Sequence, residues 1–197
     1  MSMPLATADP DTTPQEGDVY DPTGPEPEFL FEVENGLIVR KTVGAEEVRL
    51  AARLYRLLGP AVDALGAGEA FPEIGITLTT GHQRKPDISF VSYARWPRAR
   101  PIPQGDFMPV APELAVEVIS PHETARKSAT KVREYLTGGV EVVWLIYPDL
   151  GEVHVFTAGQ SVAAILTRAD TLTGDPLIPG FRLPLADLFP PAAGTAP

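Results

Sequence analysis

Cysteine is absent from the 197 residues, which rules out disulfides, thiolate metal centres and a cysteine nucleophile. Histidine is scarce, and His82, His122 and His154 are too scattered for a metal-ligand pattern. No apolar run approaches the roughly 18 residues that a membrane helix needs, and no basic stretch followed by an apolar one opens the chain. The expected setting is therefore cytoplasmic, with no membrane partner. Neither a G-x-S-x-G elbow nor a P-loop is present, which removes two common routes to hydrolysis. Positive charge is missing from the first 28 residues, which hold seven acids and no Lys or Arg.

What remains is a hydrophobic fraction of 44% and a charged fraction of 21%, the composition of a globular domain with a real core. The net charge of −10 opposes nucleic-acid binding, but most of it lies in the acidic opening stretch. Later the balance reverses locally, at Arg84 and Lys85, at Arg95, Arg98 and Arg100, and at Arg126, Lys127, Lys131 and Arg133. A mildly acidic domain can own a basic groove, and Arg84, Lys85, Arg126 and Lys127 are its candidate members.

Residues 1–27 are rich in Pro, Thr, Asp and Glu and read as a disordered tail, with 190–197 as a second. One domain is expected over 28–189. Phe29–Arg40 contains Asn35-Gly36 between apolar runs, a hairpin signal. Glu46–Leu58 has a helical apolar face ended by Gly59-Pro60. Gly66–Pro72 reads as loop, Glu73–Thr80 as a strand, and Asp87–Tyr93 as a second strand antiparallel to it. Trp96–Pro112 holds five prolines and is irregular. Trp96 could stack on a base or pack that loop down, whereas Trp144 belongs to the core.

The centre of the pattern is Glu113–Ser120, ELAVEVIS, an apolar strand bounded by prolines with Glu117 in its middle. An ionisable group in a buried strand costs several kcal/mol unless compensated, so on the order of one cation or a set of donors must accompany it. A helix is expected over Thr124–Thr137, closed by Gly138-Gly139, with the apolar row Ala125, Ala129, Val132 and Leu136. Thr124, Ser128, Lys131 and Tyr135 run along its flank, so Lys131 can reach the sheet while Lys127 points away. Val140–Tyr147 follows as a strand parallel to the Glu117 strand, which makes the sheet mixed. Edge strands are expected in Glu152–Thr157, Ala163–Thr167 and Phe181–Leu188.

Asp87 after Pro86, Glu117 on the neighbouring strand and Lys131 on the following helix form a set suited to metal-assisted hydrolysis. Two carboxylates suit Mg²⁺ or Mn²⁺, and a lysine beside them can stabilise charge developing on a phosphate. The ordinary alternative is a set of structural ion pairs.

The order of elements, with RKPDISFV, APELAVEVISP, KVREYLTGGVEVVWLIYP and GDPLIPGF, resembles the Uma-type family of the PD-(D/E)XK nuclease superfamily, over roughly 29–189. The resemblance implies an α/β restriction-endonuclease-like core, a mixed central sheet flanked by helices with additional C-terminal strands. It implies a metal-dependent endonuclease acting on duplex DNA as a homodimer. Asp87 and Glu117 would be metal ligands, with the backbone carbonyl of Val118 a third, and Lys131 the catalytic cation. Ile119 stands where the superfamily pattern has its lysine, so Lys131 would have to enter the site from the helix. Glu47 and Glu113 are accessory acids in this scheme, with a helix N-terminal charge and a solvated rim charge as their ordinary roles. A catalytically inactive module that binds nucleic acid or protein is the alternative.

Overall fold

The computed structural model describes residues 13–189 apart from 22, 25, 26, 35, 42, 43, 104 and 106. The expected tails at 1–12 and 190–197, and Asn35 of the hairpin signal, lie outside the described residues. The chain divides into two compact units, one up to residue 42 and one from residue 43.

In the first unit, β1 (Phe31–Glu34) and β2 (Leu37–Arg40) pair antiparallel, with Glu34 opposite Leu37. Gly36 takes φ +80° at the turn, a conformation that glycine adopts without a Cβ penalty. The Gly17 N–H donates to the Ile38 carbonyl, and the Ile38 N–H to the Asp18 carbonyl, each at 2.8 Å. Residues 17–20, assigned to the tail in the sequence reading, thus run alongside β2.

The second unit begins with α1 (Ala45–Leu65), β3 (Gly68–Pro72), β4 (Gly75–Thr77), β5 (Gln83–Arg84), β6 (Ile88–Ser92) and β7 (Phe107–Met108). It continues with β8 (Leu114–Val118), α2 (Ala125–Thr137), β9 (Val142–Tyr147), β10 (Glu152–Thr157) and β11 (Ala164–Leu166). It closes with β12 (Thr171–Thr173), β13 (Arg182–Pro184) and the short α3 (Leu185–Leu188). Six strands form one sheet in the order β11-β10-β9-β8-β6-β3. β8 and β9 are parallel, joined through α2, and the other pairs are antiparallel. The mixed sheet expected from the strand–helix–strand unit is present. β4 forms a short ladder with β5 and β7.

β8 sits between β6 and β9 and sorts its side chains by the two-residue period of a strand. Leu114, Val116 and Val118 join the core under α1, with Leu50, Leu54, Leu58 and Val62 of the helix. Ala115 and Ile119 join the core under α2, with Val132 and Tyr135. Each large apolar side chain buried in these layers is worth about 1.5–3 kcal/mol of transfer free energy. Trp144 lies in the α1-side core, its ring 6.0 Å from that of Phe181.

Three segments depart from the sequence pattern. α1 does not stop at Gly59-Pro60 but runs to Leu65, with Pro60 inside it. Packing of Leu58 and Val62 overrides the proline, as tertiary contacts commonly override propensity, and Gly66 at φ +60° caps the end by donating to the Val62 carbonyl. Gly68–Pro72 is a strand rather than a loop, and it, not the 75–77 segment, is the antiparallel partner of β6. Gly68 is there for close approach rather than for a turn, since a Cβ would lie 2.6 Å from both the Phe90 ring and the Val91 carbonyl. On α2, Ala125 and Ala129 are exposed, and the buried face is Ser128, Lys131, Val132 and Tyr135. The expected polar flank is the face turned to the sheet. Among the described residues no helix is long and apolar enough to cross a membrane.

Candidate active site

Asp87 directly precedes β6 and brackets Glu117 from both sides. Its N–H donates to the carbonyl of Val116 at 3.0 Å, and its Oδ2 accepts from the N–H of Val118 at 2.7 Å. Ile88 is also paired with Val116, so two residues face one, the pattern of a β-bulge. Bulges recur beside active sites because they re-aim a side chain. The carboxylate of Asp87 is thereby fixed at the end of the ladder, 5% exposed.

Glu117 turns toward α2 with Ala115 and Ile119. Lys131 Nζ donates to its Oε2 at 3.1 Å, and the Tyr135 hydroxyl donates to its Oε1. Lys131 and Tyr135 lie one helical turn apart, which places both over the same carboxylate. Lys131 Nζ is also 3.5 Å from Oε2 of Glu123, whose Oε1 accepts from Ser128 Oγ at 2.8 Å. One buried ammonium thus serves two carboxylates. Thr124 begins the helix and caps it, its hydroxyl accepting from the Lys127 N–H at 3.3 Å. Behind this layer, burial raises the Tyr147 phenol above its ordinary pKa; the Ser128 hydrogen bond partly offsets that and the charge of Glu123 adds to it.

The remaining sequence candidates are elsewhere. Glu113 lies at the other end of the strand, where its carboxylate accepts from the Ser92 N–H at 2.9 Å and from the Ser92 hydroxyl. Arg95 Nε is 3.0 Å from its Oε1. Glu113 is therefore buried and braced, not a solvated rim charge. Glu47 folds back over Gly44 at the start of α1, where a Cβ would run into its carboxylate. That is the position of a helix N-terminal acid. Its neighbour Glu46 pairs with Arg49 on the surface, and the hydrogen bond from Arg49 holds that carboxyl below its usual range. Arg126 and Lys127 are exposed on α2, but Arg84 and Lys85 are buried. Arg84 Nε donates to Glu134 Oε2 at 3.0 Å, a partner fifty residues away that no local reading of the sequence shows. Trp96 packs the proline-rich loop down, donating to the Arg100 carbonyl at 3.2 Å beneath the Arg100 guanidinium. Ser128 lies on the flank expected from helical spacing, whereas Glu123, just before α2, is brought to the site only by the folding of α2 onto β8.

Among the described residues no cluster of three or more His, Cys, Asp or Glu side chains gathers to hold a metal ion. Mg²⁺ does not require one, because it takes one or two protein carboxylates and keeps several waters. Asp87 and Glu117 are hard oxygen donors on adjacent chain segments, and each carboxylate oxygen that accepts a hydrogen bond retains a second lone pair. The donor set fits a hard divalent cation.

A mixed sheet in which β8 and β9 run parallel through the crossover helix α2, with β6 antiparallel on the other side of β8, is the restriction-endonuclease-like fold. The family model Uma2, described as "Putative restriction endonuclease", matches residues 17–186, and the chain belongs to that family. A solved structure titled as a putative nuclease belonging to DUF820 from Anabaena variabilis has the same fold, with a TM-score of 0.73 and 24% identity. The match covers 84% of this chain and 92% of that one. No curated protein matches.

Proposed function

We propose that the protein is a divalent-metal-dependent endonuclease that hydrolyses phosphodiester bonds of duplex DNA. The observation that carries this reading is the buried Glu117–Lys131 pair with Asp87 bracketing the same residue of the strand. Asp87 and Glu117 would hold Mg²⁺ or Mn²⁺, with the Val118 carbonyl beside them. A bound cation supplies polarisation of a phosphoryl oxygen and a lowered pKa for water. The water oxygen attacks phosphorus, the bond to the 3′ oxygen breaks, and the products are a 3′ hydroxyl and a 5′ phosphate. Lys131 donates to a phosphoryl oxygen as negative charge grows on it, and Glu123 holds the ammonium in reach. Tyr135 keeps Glu117 oriented. Exposed Arg126 and Lys127 would neutralise flanking phosphates, and a homodimer would place two such sites on one duplex. The setting we assign is cytoplasmic.

A second reading, a catalytically inactive module, draws support from one observation: both oxygens of Glu117 already accept hydrogen bonds from protein. Calorimetric titration of Mg²⁺ and Mn²⁺, with and without duplex DNA, separates the two. The nuclease reading expects saturable binding that is lost in Asp87→Asn and Glu117→Gln, and cleavage lost in Lys131→Ala. Absence of metal binding in the wild type, with DNA present, selects the inactive module.

A further inference from the structure

A cavity of about 420 Å³ opens between α1 and the turn after β3, and Asp87 forms part of its wall. That volume lies within the roughly 300–1,000 Å³ typical of ligand pockets. Its helical side is built from positions 48, 51, 52, 55 and 56, which share one face of α1. Val48 stands half exposed there, and Ala51 and Ala52 line that side with small apolar side chains. Tyr55 is held by its hydroxyl, which donates to the Ala70 carbonyl at 3.3 Å. Arg56, Glu73 and Asp87 supply the charged groups of the lining, one donor and two acceptors.

Glu73 adds an observation independent of the cavity. It takes φ +46°, the one described non-glycine residue at positive φ, and its N–H donates to the Asp87 carbonyl at 3.1 Å. Strained backbone of this kind persists where surrounding structure over-determines it, commonly at ligand clamps. Here the strained turn is tied to the backbone of the candidate metal ligand. A small-residue apolar side with an aromatic ring suits the π-face of a planar heterocycle, and the Arg56 and Glu73 pair suits the donors and acceptors of a base edge. A base inside a duplex is stacked and paired and cannot enter such a cleft; an unpaired one can.

We propose that this cleft takes one unpaired nucleobase of the strand whose phosphate is cut at Asp87, so that the protein prefers mismatched, extruded or single-stranded nucleotides. The inference rests on the nuclease reading. It is tested on the full chain by following the alanine methyl resonances of Ala51 and Ala52 while adding 2′-deoxycytidine or 2′-deoxyadenosine 5′-phosphate, with 2-deoxyribose 5-phosphate as the control. The methyls are expected to shift with the nucleotides and not with the sugar phosphate, and Ala52→Trp, which fills the cleft, is expected to abolish the shift. Equal responses to nucleotide and sugar phosphate overturn the proposal, a comparison made on wild type alone and independent of how the variant folds. Oligonucleotides with one unpaired nucleotide are expected to be cut at least tenfold faster than those with an abasic residue in its place. Methyl shifts without cleavage of any oligonucleotide overturn the nuclease reading and leave the nucleobase site standing. Cleavage with silent methyls overturns the site and leaves the nuclease reading standing.

Discussion

The strand β8 has a buried glutamate just before its start and another near its end, and the two keep different company. They stand four positions apart, about 13 Å of extended chain. At Glu113 the cation is Arg95, which also donates to the carbonyls of Ala111 at 2.9 Å, Pro112 at 3.1 Å and Gly139 at 2.8 Å, and to Glu141. A planar guanidinium with five donors is suited to such fixed acceptors, and together they brace the points where β8 and β9 begin. At Glu117 the cation is Lys131, a compact ammonium shared with a second carboxylate. The Arg95 side chain is 28% exposed and that of Lys131 only 8%. Burial of a carboxylate is thus common to both ends. What distinguishes the candidate site is the depth at which its cation is buried, and Asp87, whose carboxylate accepts from the N–H of Val118 next to Glu117.

The comparison breaks most visibly in activity. Glu117→Gln is expected to lower cleavage by about 10²–10³-fold or more, the scale of losing one electrostatic contributor. Glu113→Gln is expected to keep cleavage within a few-fold while lowering the melting temperature; steady-state rates and thermal melts on both variants check this. Next in size is stability. Lys131→Met leaves buried Glu117 and half-buried Glu123 without their ammonium, and breaking a buried pair costs about 3–5 kcal/mol. Arg95→Met, on the more exposed pair, is expected to cost less, and urea unfolding midpoints rank the two. Tyr135→Phe removes one hydrogen bond to a charged acceptor, about 1.5–3 kcal/mol, and is expected to retain metal binding by calorimetry. Thr124→Ala removes the cap of α2, about 0.5–2 kcal/mol, visible as a small drop in the same midpoints. The smallest effect is alkaline. The Tyr147 phenol is neutral in both states at pH 7, and burial raises its pKa in the folded chain. The unfolded chain ionises first, so this contribution to stability is present below the ordinary phenol value of about 10 and is lost as pH rises through the folded value. Tyr147→Phe is expected to flatten the fall in urea midpoint above about pH 10.

Much of this arrangement was legible in the residues themselves. The apolar runs of β8 and β9 and the helix between them announce a parallel pair, and helical spacing put Lys131 and Tyr135 on one flank of α2. The pairing of β6 with β8 that brings Asp87 beside the Glu117 strand was legible too, but the other partner of β6 was not. Glycines at 66 and 68 made β3 read as a loop, because close packing and turning leave the same residue type behind. Adjacent Arg84 and Lys85 read as surface charge, because the acid that accompanies Arg84 is on α2. Ala125 and Ala129 read as core, although the buried positions are the polar ones that carry the candidate chemistry.

Pro60 has no N–H to offer the carbonyl of Arg56, so the hydrogen-bond ladder of α1 is interrupted one turn beyond the residues that line the cleft. α1 is therefore one hydrogen bond short of a continuous ladder at that turn. Amide hydrogens beside this gap are expected to exchange with solvent faster than those of the turn that buries Leu50 and Leu54, which hydrogen exchange checks.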